Sequence, residues 1–284
     1  QMRQLGDCLE KTLDVDVLLK LGAKADIDVL GSVTVTADGS SQKCEAQKNA
    51  DLVLQNQFAG EKISHSAIPI RLGVAWDEAF CFYYRDNLEF LEKQGVQIVQ
   101  FSPVHDKHLP DDLDGLLLGG GYPELYAKAL EENETIRNEI RRKAEEDMPI
   151  LAECGGYLYL LKELEDENGT GYEMAGVFSG KGYKKGKNSH FGYITVQTEK
   201  DSLYLKAGET IKGHEFHYWE STQDENELKM QAKKPTGKRS WPCVTVKNQV
   251  MAGFPHLYYP SLEGFGERFL QACDRYRMKR KRQQ

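Results

Sequence analysis

The fold is decided by the stretch PILAECGGYLYLL, residues 149–161. The short apolar run before Cys154 predicts a buried strand, and the apolar residues after Gly156 predict a helix. The two intervening glycines let the chain turn sharply, which presents the Cys154 thiol at the carboxyl end of the strand and points the Gly155 amide at the same spot. Such an elbow is typical of an acyl-transfer nucleophile, whereas most intracellular cysteines are small, buried, apolar residues.

Apolar strands and helices alternate before this elbow. The predicted strands cover residues 72–76, 96–101 and 113–118, and the predicted helices cover 87–94 and 124–147, the latter broken near Asn133. Such alternation is typical of crossover units and a parallel sheet. After Gly169 the strands become antiparallel in character, at 193–198, 210–218, 244–247 and 250–254, before a last helix at 262–276. We therefore expect an α/β fold: a mostly parallel sheet with flanking helices and an antiparallel extension.

Sequence composition divides the chain into three parts. Residues 1–66 contain one or two predicted amphipathic helices within 5–22, followed by a polar segment interpreted as a linker with a short helix at 49–58. Residues 67–276 form the α/β domain, and residues 277–284 form a basic tail. The first residues lack the basic-then-apolar order of a signal peptide and do not begin with Met, so we expect the chain to come from a longer protein.

Composition also excludes several classes of protein. The 284 residues are 40% hydrophobic and 29% charged and contain no apolar run near the length of a membrane span, which predicts a globular protein without a membrane partner. The net charge is −7 although the last ten residues include six basic ones, so we expect no nucleic-acid partner. The six cysteines form no C-x-x-C pair, which argues against zinc and disulfides and favours the cytoplasm.

A cysteine nucleophile needs a base, and His256 is the candidate. It follows the predicted strand at 250–254, far from Cys154 in sequence, as is usual for partners that meet only in the fold. On spacing alone, a histidine in a surface loop is an equally good interpretation. Three other cysteines, Cys81, Cys243 and Cys273, are predicted to be buried apolar residues.

Three glycines, Gly119, Gly120 and Gly121, lie between a predicted strand and a helix that begins with proline. Backbone amides in such a loop can approach a ligand closely, so this loop together with Gly155 is the candidate for binding an oxyanion. A phosphate-binding loop is the weaker interpretation, since no G-x-x-x-x-G-K-[ST] motif occurs.

The segment GHEFHY, residues 213–218, alternates along a predicted strand. Alternation places His214, Phe216 and Tyr218 on one face, and Glu215 and His217 on the other. Because His214 and His217 lie on opposite faces, we expect no metal in this chain. A polar strand that faces a substrate or a neighbouring domain is the preferred interpretation.

Four segments together resemble the class I glutamine amidotransferase domain of the cobyrinate a,c-diamide synthase family. They are residues 77–84 with 87–89, 118–124, 152–156 and 213–218, in this order within about 69–273. The resemblance implies the flavodoxin-like class I glutaminase fold and a glutamine-hydrolysing carbon–nitrogen ligase. It implies that Cys154 is the nucleophile and that His256 raises its nucleophilicity.

The resemblance also implies a two-domain enzyme. Residues 1–66 match the end of an ATP-dependent synthetase domain plus a linker, so ATP and Mg²⁺ are expected in that domain and no cofactor in this chain. The implied partners are L-glutamine, the synthetase domain of the same polypeptide, and the corrinoid cobyrinate at the domain interface. The a and c carboxylates of cobyrinate would receive the ammonia, in cobalamin biosynthesis. A homodimer stays open.

The sequence departs from ordinary class I glutaminases in two places. Two residues after His256, where they carry a glutamate, this chain has Tyr258, and four residues after Cys154, where they carry a glutamine, it has Leu158. A third member of the triad is therefore absent or comes from elsewhere. Two alternatives remain for the substrate, a nickel-sirohydrochlorin a,c-diamide synthase or a cobyrate synthase. An alternative of another class is a non-catalytic interaction module on the same fold.

Overall fold

The computed structural model describes residues 69–186, 190–223, 228–236 and 239–283. The predicted helices at 5–22 and 49–58 and the boundary after residue 66 lie outside these residues. The strands are β1 (Ile70–Ala75), β2 (Phe80–Phe82), β3 (Val96–Phe101), β4 (Gly115–Leu118), β5 (Gly120–Gly121), β6 (Ile150–Glu153), β7 (Glu163–Glu165), β8 (Gly171–Glu173), β9 (Lys181–Lys184), β10 (Phe191–Gln197), β11 (Thr210–Phe216), β12 (Trp219–Ser221), β13 (Leu228–Lys233), β14 (Ser240–Lys247), β15 (Val250–Gly253) and β16 (His256–Leu257). The α-helices are α1 (Arg85–Lys93), α2 (Ala127–Glu132), α3 (Glu134–Glu145), α4 (Gly155–Leu160) and α5 (Phe265–Gln283).

Ten strands form the central sheet, in the order β16-β11-β10-β13-β14-β15-β6-β4-β1-β3. Strands β15, β6, β4, β1 and β3 run parallel to one another. The remaining strands join antiparallel. The predicted α/β fold, with a parallel sheet, flanking helices and an antiparallel extension, is therefore confirmed.

The inner parallel strands β1, β4, β6 and β15 are almost entirely buried on both faces, as expected where helices cover the sheet, whereas the edge strand β3 is partly exposed. In β6, Ile150 and Ala152 pack into the cluster that contains Leu130 of α2 and Ile140 of α3, whereas Leu151 packs into the cluster on the opposite face. That second cluster contains Leu91 of α1 and the aromatic residues Phe265 and Phe269 of α5. The continuous apolar run of β6 thus fills two cores, and it holds the elbow between them.

A second, four-stranded sheet of order β12-β9-β7-β8 is absent from the sequence prediction. Its strands are three or four residues long and largely polar, as in β7, so they carry little apolar alternation. The predicted helix after Gly156 extends to Leu164, but α4 ends at Leu160 and Leu164 lies buried in β7. In a continuous apolar run, hydrophobic periodicity does not show where a helix ends and a strand begins.

The last helix, α5, continues through the residues interpreted as a basic tail. Its basic side chains anchor it to the sheet: the buried Arg277 donates a hydrogen bond to the Pro69 carbonyl at 3.1 Å, and Arg280 pairs with Asp114 at 3.2 Å. Arg277 and Arg280 therefore belong to a helix that packs against the sheet and not to a free tail. None of the helices in the described part of the chain is both long and apolar enough to cross a membrane.

Candidate active site

Cys154 lies at the elbow between β6 and α4. Its backbone has φ 49° and ψ −103°, a conformation that residues with a side chain rarely adopt. A hydrogen bond to β15 holds this conformation: the Cys154 amide donates to the Gly253 carbonyl at 2.8 Å. Gly156 donates to the Gly119 carbonyl at 2.8 Å, and a Cβ atom at Gly156 would lie 2.1 Å from the Leu118 carbonyl oxygen. The elbow therefore requires glycine at 156, and it leaves the thiol 8% exposed.

The structure brings His256 beside the Cys154 thiol, so that the two side chains interact. His256 opens β16, which pairs with β11 at the end of the antiparallel half of the sheet. Burial favours the neutral imidazole, but the hydrogen bond and charge of Cys154, followed by the interaction with Glu153, outweigh it and raise the pKa of His256 well above its usual range. These interactions therefore stabilise the imidazolium form of His256 beside the Cys154 sulfur.

Glu153 supplies a carboxylate behind His256, and sequence reasoning missed it. Its Oε2 atom lies 3.7 Å from Nδ1 of His256, and both side chains are less than a tenth exposed. Its Oε1 atom accepts hydrogen bonds from the Leu257 amide at 3.3 Å and from the Tyr259 hydroxyl at 3.0 Å. A buried carboxylate therefore lies behind the histidine, and it belongs to the residue that precedes Cys154 in sequence.

The segment after His256 is clamped by Asn87 of α1. Its side-chain amide donates to the Leu257 carbonyl at 2.7 Å and accepts from the Tyr259 amide at 2.9 Å. Both hydrogen bonds are buried, and together they satisfy the backbone on either side of Tyr258. The clamp fixes the chain on which the imidazole is carried.

Tyr258, which stands where ordinary class I glutaminases carry the glutamate, has its hydroxyl on Asp86 and not on the imidazole. It is the residue two positions after His256, and its side chain is partly exposed on the surface. Its hydroxyl donates to Asp86 of α1 at 3.4 Å. Tyr258 therefore does not orient His256 in this structure.

The glycine loop packs against both the elbow and the histidine. A Cβ atom at Gly120 would lie 2.3 Å from Cε1 of His256, and a Cβ atom at Gly155 would lie 3.0 Å from the Gly121 nitrogen. Side chains are therefore excluded where the loop meets the site. The Gly119 amide, however, already donates to the Tyr83 hydroxyl at 2.9 Å. Gly119 is thus a structural member of the loop, and Gly155, Gly120 and Gly121 remain as candidate oxyanion donors.

Three other cysteines are predicted to be buried, and the prediction is confirmed for two of them. Cys243 and Cys273 are buried free thiols, whereas Cys81 is exposed on β2. Cys81 follows the buried Phe80 on the short, irregularly paired strand β2, where both Cys81 and Phe82 are exposed. The exposed Cys81 and the enclosed Cys154 make a matched pair for labelling.

Glu124, which follows the glycine loop, is a buried carboxyl group. Burial raises its pKa to about 7, the charge of Glu167 adds to this, and Lys184 and a backbone hydrogen bond offset only part of it. A folded-state pKa above the unfolded value means that the carboxylate destabilises the fold as the pH rises through the range from about 4.5 to 7.

We therefore expect Glu124→Gln to change the free energy of unfolding little at pH 5 and to raise it at pH 8, by up to about 3 kcal/mol. Urea unfolding at the two pH values measures this. Glu132→Gln, which removes an exposed carboxylate on α2, is the control and should show no such pH dependence. Equal effects of Glu124→Gln at both pH values would contradict the raised pKa.

The sequence of this chain matches a known protein family and several curated proteins. Residues 71–262 match the family described as the CobB/CobQ-like glutamine amidotransferase domain. Cobyrinate a,c-diamide synthase of Caldanaerobacter subterraneus subsp. tengcongensis is 39% identical over 208 residues, which are 73% of this chain and 46% of that protein. Cobyrinate a,c-diamide synthase of Picrophilus torridus is 33% identical over 270 residues, 95% and 52% of the two chains. This chain spans about half the length of the curated relatives that it matches.

Solved structures agree on the fold. PurLQS from Thermotoga maritima superposes with a TM-score of 0.51 over 74% of this chain and 99% of that chain, at 18% sequence identity. At this identity the likeness concerns the fold, not the chemistry.

Proposed function

This chain belongs to the CobB/CobQ-like glutamine amidotransferase family, and from that premise we propose that it hydrolyses L-glutamine to glutamate and ammonia. One observation carries the proposal: the strained Cys154 elbow lies beside a buried histidine that is itself backed by a buried carboxylate. An inert module on the same fold has no need to hold these three groups together away from water. A buried histidine whose pKa is raised by its neighbours, as that of His256 is, is typical of catalytic sites.

The first half-reaction forms a thioester on Cys154. The thiolate attacks the carboxamide carbon of glutamine, and the Gly155 amide with Gly120 or Gly121 receives the negative charge that develops on the carbonyl oxygen. When the C–N bond breaks, the imidazolium of His256 gives its proton to the leaving nitrogen, and ammonia departs.

The second half-reaction frees glutamate. The imidazole, now neutral, takes a proton from a water molecule as that water attacks the thioester carbon, and the C–S bond then breaks to regenerate the thiolate. Glu153 acts as a positioning residue. Its carboxylate stabilises the imidazolium of His256, which is present before ammonia leaves and forms again when water is deprotonated. The whole cycle consumes one glutamine and one water and produces one glutamate and one ammonia.

We further propose that the ammonia passes to an ATP-dependent synthetase part of a longer protein. The curated relatives are about twice as long as the matched region and are named cobyrinate a,c-diamide synthase. ATP and Mg²⁺ would bind in that other part, and the a and c carboxylates of cobyrinate would accept the nitrogen. The cytoplasm is the proposed location, because the cysteines of the described residues are free thiols.

The proposal predicts selective labelling of Cys154 by a glutamine analogue that carries an electrophilic carbon in place of the carboxamide nitrogen. Recognition of the glutamine skeleton and the adjacent His256 should make the enclosed thiol react first. Mass spectrometry of the digested chain locates the modification, and an excess of glutamine should suppress it.

Exposed Cys81 controls for indiscriminate alkylation, because its access to solvent is greater than that of Cys154. Labelling of Cys81 in preference to Cys154, or labelling that glutamine leaves unchanged, would contradict a glutamine site at the elbow and favour the non-catalytic module.

A further inference from the structure

A second cluster of side chains lies at the end of β11, outside the proposed catalytic group. It consists of His190, Glu215 and His217, whose candidate ligand atoms all lie within 4.8 Å of one another. Strand register explains the cluster: Phe191 of β10 pairs with Phe216 of β11, so the next residues outward, His190 and His217, face each other across the ladder. The sequence suggests only His214 as a companion of His217, and these two lie on opposite faces of the strand. It does not show that His190, next to the neighbouring strand, lies beside His217.

His217 carries a nitrogen that is prepared to coordinate. Its Nδ1 atom lies 2.6 Å from the Trp219 carbonyl, which can only accept, so Nδ1 carries the proton and donates it. The opposite nitrogen, Nε2, is buried and has no hydrogen-bond partner among the described residues. It lies 3.8 Å from Oε2 of Glu215. An imidazole that donates through one nitrogen to a backbone carbonyl and leaves the other bare is the usual form of a metal-bound histidine.

Two aromatic side chains hold the three ligands in place. The Trp241 indole donates to both carboxylate oxygens of Glu215, at 3.1 and 3.3 Å, and its ring stacks on His190 with the centroids 4.3 Å apart and the planes within 7°. Phe254 stacks on His217 in the same manner, with the centroids 3.9 Å apart. Such supporting contacts restrict ring rotation and orient the ligand atoms before any ion binds.

The charge of the cluster also suits a cation. Glu215 is fully buried and has no lysine or arginine within ion-pair distance among the described residues. A second carboxylate, that of Glu220, lies 3.9 Å from Nδ1 of His190 and is already paired with Lys185 at 3.4 Å, so Glu215 is the carboxylate available to an ion. A buried carboxylate without a cationic partner is costly, and a bound cation removes that cost.

We propose that His190, Glu215 and His217 bind one divalent transition-metal ion, with Zn²⁺ the best match. Two imidazoles and one carboxylate form a donor set that zinc accepts, and a water molecule would complete four-coordination. At bonds of about 2.0–2.1 Å, tetrahedral ligand atoms lie about 3.3–3.5 Å apart, so the cluster must contract by roughly 1 Å on binding. His190 precedes β10 and its side chain is the most exposed of the three, so it is the ligand that moves.

A bound ion would affect the packing of the side chains beneath the proposed catalytic residues. Phe254, which covers His217, makes an edge contact with Tyr157 of α4 at 5.1 Å between centroids, and Tyr157 lies one helical turn after Cys154. A bound ion would therefore fix the end of β11 and the packing beneath the elbow. It would take no part in glutamine chemistry, so the proposal stands or falls separately from the proposed function.

The test is a Zn²⁺ titration of the metal-free, untagged chain of 284 residues by calorimetry in competition with a chelator, repeated with Co²⁺, whose visible spectrum reports four-coordination. We expect one equivalent to bind. Loss of a residue that merely orients a ligand costs about 10–100-fold in affinity, so His190→Ala and His217→Gln should each cost about a hundredfold or more. His214→Ala, a histidine on the opposite face of the same strand, is the matched control and should change affinity less than about threefold.

Circular dichroism verifies that each variant is folded, and His190→Ala keeps the test decisive should the buried His217→Gln fail to fold. Failure to bind one equivalent of either ion would overturn the proposal. Binding that survives His190→Ala but disappears in Cys154→Ser would also overturn it, because it would place the ion on the thiolate of the proposed catalytic site instead.

Discussion

Replacing Cys154 with serine is expected to lower the rate of glutamine hydrolysis by about a thousandfold or more while the fold stays intact. Serine is nearly isosteric with cysteine and fits the same elbow, so neither the 8% exposure nor the contacts of the backbone should change. Its hydroxyl, however, is a far poorer nucleophile than the sulfur of cysteine, whose thiolate is the reacting form. Ammonia release measures the rate, and thermal unfolding reports the fold.

Cys81→Ser is the matched control, because Cys81 is exposed on β2 and lies outside the Cys154–His256–Glu153 group. Its rate should stay within about twofold of the unaltered chain. An undiminished rate in Cys154→Ser would remove Cys154 from the role of nucleophile, whatever the result for Cys81→Ser.

The elbow and the parallel half of the sheet could be predicted because their signals are local. Ile150–Ala152 is a short apolar run that predicts a strand. Gly155 and Gly156 allow the sharp turn after it, and the apolar residues that follow predict the helix. The break of the helical region at Asn133 and the strand at Val96–Phe101 are confirmed for the same reason. Signals of this kind need no knowledge of what lies across the sheet.

Glu153 and His190 could not be found in this way because their roles depend on long-range register. Glu153 pairs with Gly253 on β15, and the chain then turns back through Pro255 to place His256 beside it. The sequence shows a glutamate before the cysteine, but only the strand order shows that this carboxylate faces the histidine. His190 likewise becomes informative only once β10 is paired with β11.

Removing the imidazole in His256→Ala is expected to cost on the order of a hundredfold or more in kcat/KM for glutamine hydrolysis, since it removes both the proton donor for ammonia and the partner of the thiolate. Tyr258→Phe should change the rate by less than about tenfold, because the Tyr258 hydroxyl donates to Asp86 and not to His256. Equal losses in these two variants, with unchanged thermal stability, would show that the tyrosine is a working third member of the site.

Glu153→Gln separates an orienting carboxylate from a merely structural one. The glutamine side chain can still accept from Tyr259, but it lacks the charge that lies 3.7 Å from Nδ1 of His256. That charge contributes to the raised pKa of His256, so its removal should lower the pKa of the imidazolium and narrow the pH range in which thiolate and imidazolium coexist. We expect a loss of about tenfold or more at neutral pH, with the alkaline limb of the kcat/KM profile displaced to lower pH. A lower rate with an unchanged profile would mean that Glu153 only supports the backbone of Leu257, and the site would then be a dyad.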